Sequence, residues 1–115
     1  MLNNVVIMGR LTADIELRMT KNQVPVSTFT IACDREVPDS EGNRQTDFID
    51  CLVWRSIAEF AAKNIHKGDL INVCGRLQFN NRIDANGNKR RESEILVESL
   101  YLCKKKQLNT EAQTV

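Results

Sequence analysis

Residues 46–54 alternate between two kinds of side chain, and this alternation constrains the fold more than any other feature of the sequence. The odd-numbered positions are apolar and comprise Ile49, Cys51 and Val53. The even-numbered positions include Phe48 and Trp54, with a carboxylate between them. Since successive side chains of a strand point to opposite faces, the pattern predicts a strand with one face in the core. The two aromatic side chains are then directed outward.

The same period of two recurs along the chain and predicts five strands, which cover residues 3–11, 24–35, 46–54, 69–79 and 94–103. After the third strand the period becomes helical, with an apolar stripe at Ile57, Phe60, Ala61 and Ile65. Gly68 lies where helices commonly end, so we predict a helix over residues 56–67. Gly9 and Gly75 interrupt apolar strands, which is typical of a bend or a close approach of two backbones.

Polar segments connect the predicted strands. Residues 36–45 form one such connection, and residues 80–92 form a longer one. The longer segment contains Asn86 and Gly87, a pair that predicts a two-residue hairpin turn.

Five strands with one helix between the third and the fourth predict an all-β protein with an OB-fold, a five-stranded Greek-key barrel. An SH3-like barrel gives a similar pattern but usually lacks a helix of three turns. The 115 residues have the length of one domain, and the periodic pattern ends near the Lys104-Lys105-Lys106 run. We therefore predict an OB-fold domain over residues 1–105 and a flexible tail over residues 106–115.

Charge and hydropathy exclude two classes of protein. Sixteen Lys and Arg against fifteen Asp and Glu leave a net charge of +1, which excludes a histone-like polycation. The longest apolar run, Val5 to Met8, is far shorter than the ~18 residues of a membrane-spanning helix. The first residues also lack the pattern of a signal peptide, so we expect a cytoplasmic protein with no membrane partner.

The four cysteines are far apart in sequence and form no Cys-x-x-Cys pair: Cys33, Cys51, Cys74 and Cys103. Structural zinc sites usually take their ligands in such pairs. Each cysteine lies in an apolar, strand-like stretch, so we predict buried free thiols. Disulfides or a metal site assembled in space remain the less favoured alternatives, and no metal or cofactor is expected.

The outward aromatics Phe48 and Trp54 need a partner, because exposing them is otherwise unfavourable for solubility. Nucleic-acid bases are suitable partners, since every base has a π-face and stacking is indifferent to sequence. The alternative is that both side chains pack into an interface between subunits or under a loop.

Cations occur near the predicted outward aromatics. Arg55 directly follows Trp54, and further arginines lie in or at the ends of strands, namely Arg10, Arg35 and Arg76. The stretch 76–91 has a local charge of +4, with Asp84 set against Arg76, Arg82, Lys89, Arg90 and Arg91. This pattern predicts contacts to phosphates, and the alternative is a solvated loop.

No catalytic constellation is visible in the sequence. His66, the only histidine, lies near the predicted helix C-terminus, where a favourable interaction with the helix dipole explains it. Asp47 and Asp50 are three residues apart on a strand, so they face opposite sides and do not form an acid–base pair. We predict that the chain is not an enzyme.

Several blocks of sequence occur together in a recognisable order, namely residues 4–12, 14–18, 47–55, 58–59, 67–70, 75–78 and 94–97. Together they closely resemble bacterial single-stranded DNA-binding proteins. The resemblance covers nearly all of residues 1–105 and implies an OB-fold, a homotetramer and sequence-independent binding of single-stranded DNA without catalysis. It also implies roles in replication, recombination and repair, a nucleoid-associated location, and base stacking on Phe48 and Trp54.

The sequence departs from this family at two aromatic positions. The family has an aromatic after the arginines that end the second strand, where this chain has Val37 and one arginine fewer. A second aromatic follows the Gly-Arg-Leu of the fourth strand, and Arg82 aligns near that position. Phe79, three residues earlier, could replace it, although the periodicity of its strand would direct it inward.

The family usually ends in an acidic peptide that recruits replication and repair enzymes, and residues 111–115 contain no such peptide. We expect either a truncated chain or a short paralogue of the competence, plasmid or phage type, and recruitment of those enzymes is doubtful. A second hypothesis is a protein-interaction OB module, in which Phe48 and Trp54 are buried between chains.

Overall fold

A computed structural model describes residues 1–106. The elements are β1 (Val5–Leu11), β2 (Arg18–Met19), β3 (Pro25–Asp34), β4 (Thr46–Trp54), α1 (Arg55–Asn64), β5 (Leu70–Ile83) and β6 (Lys89–Lys104). The strands form one sheet in the order β1-β5-β6-β4-β3-β2, and an additional pairing of β1 with β3 closes it into a barrel. The structure confirms the predicted barrel of five long strands and adds the two-residue strand β2. The predicted tail lies outside the described residues, apart from Lys106.

The inward faces of the long strands build one core, and α1 packs its Ala58 and Ala61 against it. On β4, Cys51 and Val53 are fully buried and Ile49 packs against the core, as the alternation predicted. The other strands contribute Leu11, Phe29, Ile31, Ile71, Val73, Ile95 and Val97. Because the core takes the odd-numbered residues of β4, its even-numbered residues form part of the outside of the barrel.

The helix is shorter than predicted. It ends at Asn64, Ile65 has an extended backbone, and Gly68 lies in the turn before β5 and not at the helix C-terminus. Ile65 is nevertheless fully buried, so the last residue of the predicted helical stripe reaches the core from an extended backbone. His66 consequently lies beyond the helix end.

The predicted polar segment 80–92 is not a loop: β5 continues to Ile83 and β6 begins at Lys89, so most of it is a paired hairpin. Five residues, 84–88, connect the strands, and a hydrogen bond from the amide of Asp84 to the carbonyl of Asn88 encloses the three residues 85–87, in place of the predicted two-residue turn. The Asp84 carboxylate accepts the amides of Asn86 and Asn88, which stabilises the longer loop. A projecting hairpin is solvated, so its polar sequence is compatible with strands.

The glycines within the strands mark close approaches of two backbones, as predicted. A Cβ at Gly9 would lie 2.7 Å from the carbonyl oxygen of Ala32, and one at Gly75 would collide with the carbonyl oxygen of Leu96. The pairing of β5 with β6 shifts by one residue between Cys74 and Gly75, so a β-bulge lies at the same point. Only glycine permits the two strands to approach here.

The carboxylate of Asp69 ties the start of β5 to the end of β6. It is 2% exposed and accepts hydrogen bonds from the backbone amides of His66 at 2.9 Å and Lys106 at 2.8 Å. The ammonium of Lys105 lies 3.5 Å away. Burial alone would raise the pKa of Asp69, but these donors outweigh it and hold the pKa below its ordinary value.

Replacing Asp69 by Asn should lower the free energy of unfolding at pH 7 by ~1–3 kcal/mol, because the buried network loses its negative charge and one of its two acceptor oxygens. Since the pKa is lower in the folded state, this stabilisation is present above the unfolded pKa of ~4 and is lost as the pH falls through the folded value. Urea denaturation at pH 7 and pH 3 checks this. A difference between parent and Asp69→Asn that is equal at both pH values contradicts it.

Candidate nucleic-acid interface

The outward side of β4 and the adjacent side of β3 form a surface that we call the outer face. It is built from four cross-strand pairs, namely Phe48–Ala32, Asp50–Thr30, Leu52–Thr28 and Trp54–Val26. Phe48 is 68% exposed and Trp54 is 39% exposed. They are six residue steps apart along the strand, which corresponds to about 20 Å. The outer face therefore presents two aromatic side chains at its ends, as predicted, with Asp50, Leu52 and two threonines between them.

A groove runs between the outer face and the β5–β6 hairpin. It consists of two adjoining clefts of about 420 and 350 Å³, which share Asp50, Glu92, Ser93 and Glu94. The larger cleft reaches the loop after β1 at Thr12, and the smaller one reaches Phe48 and Leu77. The groove is open along its length, so an extended polymer can enter it.

Carboxylates line this groove and are held in place by neutral donors and by one arginine. The hydroxyl of Thr30 donates to Asp50 at 2.8 Å, and the amide of Asn80 donates to Glu94 at 2.6 Å. Arg82 lies 3.1 Å from Glu92. Phosphates are repelled by such a floor, whereas uncharged bases are not. A nucleic acid in the groove would therefore turn its bases inward and its phosphates toward the rim.

Arg55 occupies a strained position beside Trp54. Its φ of 56° lies in the left-handed region, which is uncommon for a residue with a side chain. Strained backbone often clusters at functional sites, where the surrounding structure imposes it. Here the chain passes directly from β4 into α1, and the strain fixes the exposed Arg55 next to the exposed indole.

Three of the predicted phosphate-binding arginines are engaged in ion pairs. Arg35 forms a two-pronged pair with Asp47, with distances of 3.0 and 3.1 Å, which holds the pKa of Asp47 below its ordinary value. Arg82 pairs with Glu92, and Arg90 lies 3.2 Å from Asp84. The charge of +4 predicted for residues 76–91 already includes Asp84, and the pair of Arg82 with Glu92 neutralises one further charge of the hairpin.

The other predicted cations are exposed and have no carboxylate within ion-pair distance among residues 1–106. They are Arg10, Arg55, Arg76, Lys89 and Arg91. Arg91 stacks over the ring of Phe79, with 4.6 Å between its guanidinium carbon and the ring centroid. Phe79 is 52% exposed, because its strand has passed the end of the barrel where no core remains to receive it.

The carboxylate partners of Arg35, Arg82 and Arg90 could not be found from sequence alone. Glu92 lies one residue beyond the stretch used for the charge count, and Asp47 is twelve residues from Arg35. The strand register brings each pair together. Arg82 pairs with Arg90 and therefore lies diagonally beside Glu92 on one face of the hairpin, whereas the predicted two-residue turn would have paired Arg82 with Arg91.

The cysteines differ from the prediction in burial. Only Cys51 is buried, and burial raises the pKa of its thiol to about 12. Cys33 and Cys74 are half-buried and Cys103 is exposed, because the outer side of the barrel takes part of every strand. All four are free, and no cluster of three metal-binding side chains occurs within residues 1–106. No helix in the described part of the chain is long and apolar enough to span a membrane.

Known proteins resemble this chain over most of its length. Single-stranded DNA-binding protein 1 of Streptococcus pyogenes serotype M18 is 40% identical over 106 residues, which are 92% of this chain and 82% of that protein. Single-stranded DNA-binding protein 2 of Listeria monocytogenes is 41% identical over 99% of this chain and 71% of its own length. The single-stranded DNA-binding protein of Bacillus cereus is 44% identical over 100 residues. These residues are 87% of this chain but only 59% of that protein.

A family match agrees with these relatives. Residues 2–103 match the family described as the single-strand binding protein family. The family confirms the OB-fold and the resemblance noted in the sequence, and its name denotes binding and not a reaction, which confirms that the chain is not an enzyme. The chain belongs to the single-strand binding protein family.

Proposed function

We propose that this protein binds single-stranded DNA without sequence preference, by stacking bases on Phe48 and Trp54. The observation that carries the proposal is the exposure of both side chains on the outer face of β4, beside an open groove. Exposed aromatic side chains at intervals along a groove provide stacking surfaces for successive segments of a strand. The relatives named for single-stranded DNA binding support the same function.

The acidic groove and the exposed cations determine how the strand lies. The bases face the carboxylates of the groove and the two aromatic rings, and the phosphates turn away from those carboxylates toward exposed cations such as Arg55, Arg76 and Lys89. Phe79, with Arg91 on its ring, provides a third stacking surface on the hairpin. Contacts from Arg35, Arg82 and Arg90 require their ion pairs to open first.

Replacing Phe48 by Ala should weaken binding of a fluorescein-labelled dT oligonucleotide by about 5- to 150-fold, which corresponds to the loss of ~1–3 kcal/mol of stacking. Phe60→Ala is the matched control, since Phe60 is an exposed aromatic of α1 that does not line the groove. Fluorescence anisotropy at one fixed salt concentration measures both variants. Equal affinities of the parent and Phe48→Ala would refute stacking at this position.

Replacing Glu92 by Gln should strengthen binding several-fold, because it releases Arg82 and removes a carboxylate from the groove. The salt dependence, log K against log salt, should become steeper by ~0.7 for one additional phosphate contact. Glu59→Gln makes the same change in net charge on the exposed side of α1. Identical salt slopes for Glu92→Gln and Glu59→Gln would show that Arg82 contacts no phosphate.

We infer a homotetramer, as the family resemblance implies, and assign its interface to an apolar strip on the outward sides of β1 and β6. Val6 and Met8 of β1 and Tyr101 of β6 are all at least half exposed. Strand pairing places them side by side, since Met8 pairs with Asn72 and Asn72 pairs with Tyr101. Adjacent exposed apolar side chains of this kind are typical of interfaces between subunits.

Light scattering tests the assembly. The parent should have about four chain masses, and Val6→Glu/Met8→Glu should dissociate because burying two carboxylates in an interface is strongly unfavourable. Ile83→Glu is a control for an exposed apolar residue outside the strip. A monomeric parent, or a doubly substituted variant that keeps the parent mass, contradicts the assignment of this interface.

We propose a cytoplasmic, nucleoid-associated location and participation in replication, recombination and repair. Single-stranded DNA is exposed in these processes, and four free thiols agree with a reducing compartment.

A further inference from the structure

A second group of cations lies at the end of the barrel away from the hairpin. It surrounds Gly68, and we call it the basic cluster: Arg10, Lys104, Lys105 and Lys106. Together with Gly68 these residues line a cleft of about 450 Å³ that contains no carboxylate. This composition differs from that of the groove, where Asp14, Asp50, Glu92 and Glu94 all contribute to the lining.

Specific contacts hold part of the basic cluster in place. The guanidinium of Arg10 donates to the carbonyl of Gly68 at 3.0 Å. Gly68 has a φ of +91°, and any Cβ there would meet the side chain of Lys106. Asp69 fixes the backbone of Lys106 and the ammonium of Lys105, as described above. Arg10 and Lys106 are therefore both in contact with one turn.

Not every cation of the cluster is available to a ligand. Lys105 lies near Asp69 and donates to the carbonyl of Asn64 at 2.9 Å, so its ammonium group already has partners within the protein. Lys104 and Lys106 are exposed, and neither is within ion-pair distance of a carboxylate in the described part of the chain. Arg10 retains donors beyond the one that binds Gly68.

The strand register connects this cluster to the outer face. Phe48 of β4 pairs with Ala32, and Ala32 pairs with Arg10 of β1. Arg10 in turn pairs with Leu70, and Leu70 pairs with Lys104 of β6. Directly paired residues share a face of the sheet. Arg10 therefore lies about 10 Å along the sheet from Phe48, and Lys104 about 20 Å, on one continuous surface.

We propose that the basic cluster is a second backbone-binding surface, over which the DNA strand that stacks on Phe48 continues across β1 to Lys104 and Lys106. The proposal rests on the proposed function and assigns a path to the strand. Phosphates beyond Phe48 find unpaired cations in this direction. Toward the hairpin the unpaired Lys89 and Arg91 are interspersed with Glu92, Glu94 and the paired Arg82 and Arg90.

The test is the salt dependence of dT binding by Lys104→Gln/Lys106→Gln. Removing two phosphate contacts should make the slope of log K against log salt shallower by ~1.4, which is about a 25-fold weaker affinity at 0.1 M salt if the affinities converge near 1 M. Lys21→Gln/Lys63→Gln is the matched control, because it makes the same charge change at exposed lysines outside the groove and the cluster. The control should change the slope by less than half as much.

Oligonucleotide length separates this inference from the proposed function. A short dT that only covers the outer face should bind the parent and Lys104→Gln/Lys106→Gln equally, whereas a long dT should bind the parent more tightly. Equal slopes for the cluster variant and the control overturn the path across β1 while stacking on Phe48 stands. A parent protein that binds neither oligonucleotide overturns the proposed function itself. Urea denaturation of both variants verifies that the fold is intact.

Discussion

The burial of one side of β4 is the constraint on which the rest of this structure depends. Cys51 and Val53 are fully enclosed, and a strand with a buried side has no freedom to slip by one residue without exposing its core residues. Phe48 and Trp54 are therefore held outward by the same packing that stabilises the barrel. Since β4 lies between β3 and β6, its outward side becomes the floor of the groove beside the hairpin.

The distribution of charge then determines how a strand would be oriented on this surface. The chain as a whole is nearly neutral, with a net charge of +1, so bulk composition says little about a nucleic-acid partner. The floor of the groove carries carboxylates and its surroundings carry unpaired cations, which orients a strand with its bases inward. Two cations of the hairpin, Arg82 and Arg90, are already engaged in ion pairs. The basic cluster near Gly68 adds cations on the other side of Phe48.

The sequence correctly predicted the features that depend on local periodicity. The strand over residues 46–54, its buried and outward faces and the close approaches at Gly9 and Gly75 follow from patterns within a few residues. The hairpin was misassigned because solvated strands lack an apolar face, and the helix end was misplaced because Ile65 reaches the core from an extended backbone.

Contacts between distant segments could not be predicted in this way. The pair Arg35–Asp47 depends on the register of β3 with β4, and the approach of Arg10 to Lys106 depends on the pairing of both β1 and β6 with β5. Sequence counts treated Arg35 and Arg82 as available cations, although strand pairing had already supplied their partners. The prediction that all four cysteines are buried was wrong for a related reason, since an apolar strand places only one of its two faces in the core.

The fluorescence of Trp54 tests the central claim most directly, because this is the only tryptophan of the chain and it lies on the outer face. Titration of the unmodified protein with poly-dT at low salt should quench its emission to saturation, and added salt should reverse the quenching as phosphate contacts are lost. Emission that stays constant at low salt through a full titration would contradict base stacking on the outer face.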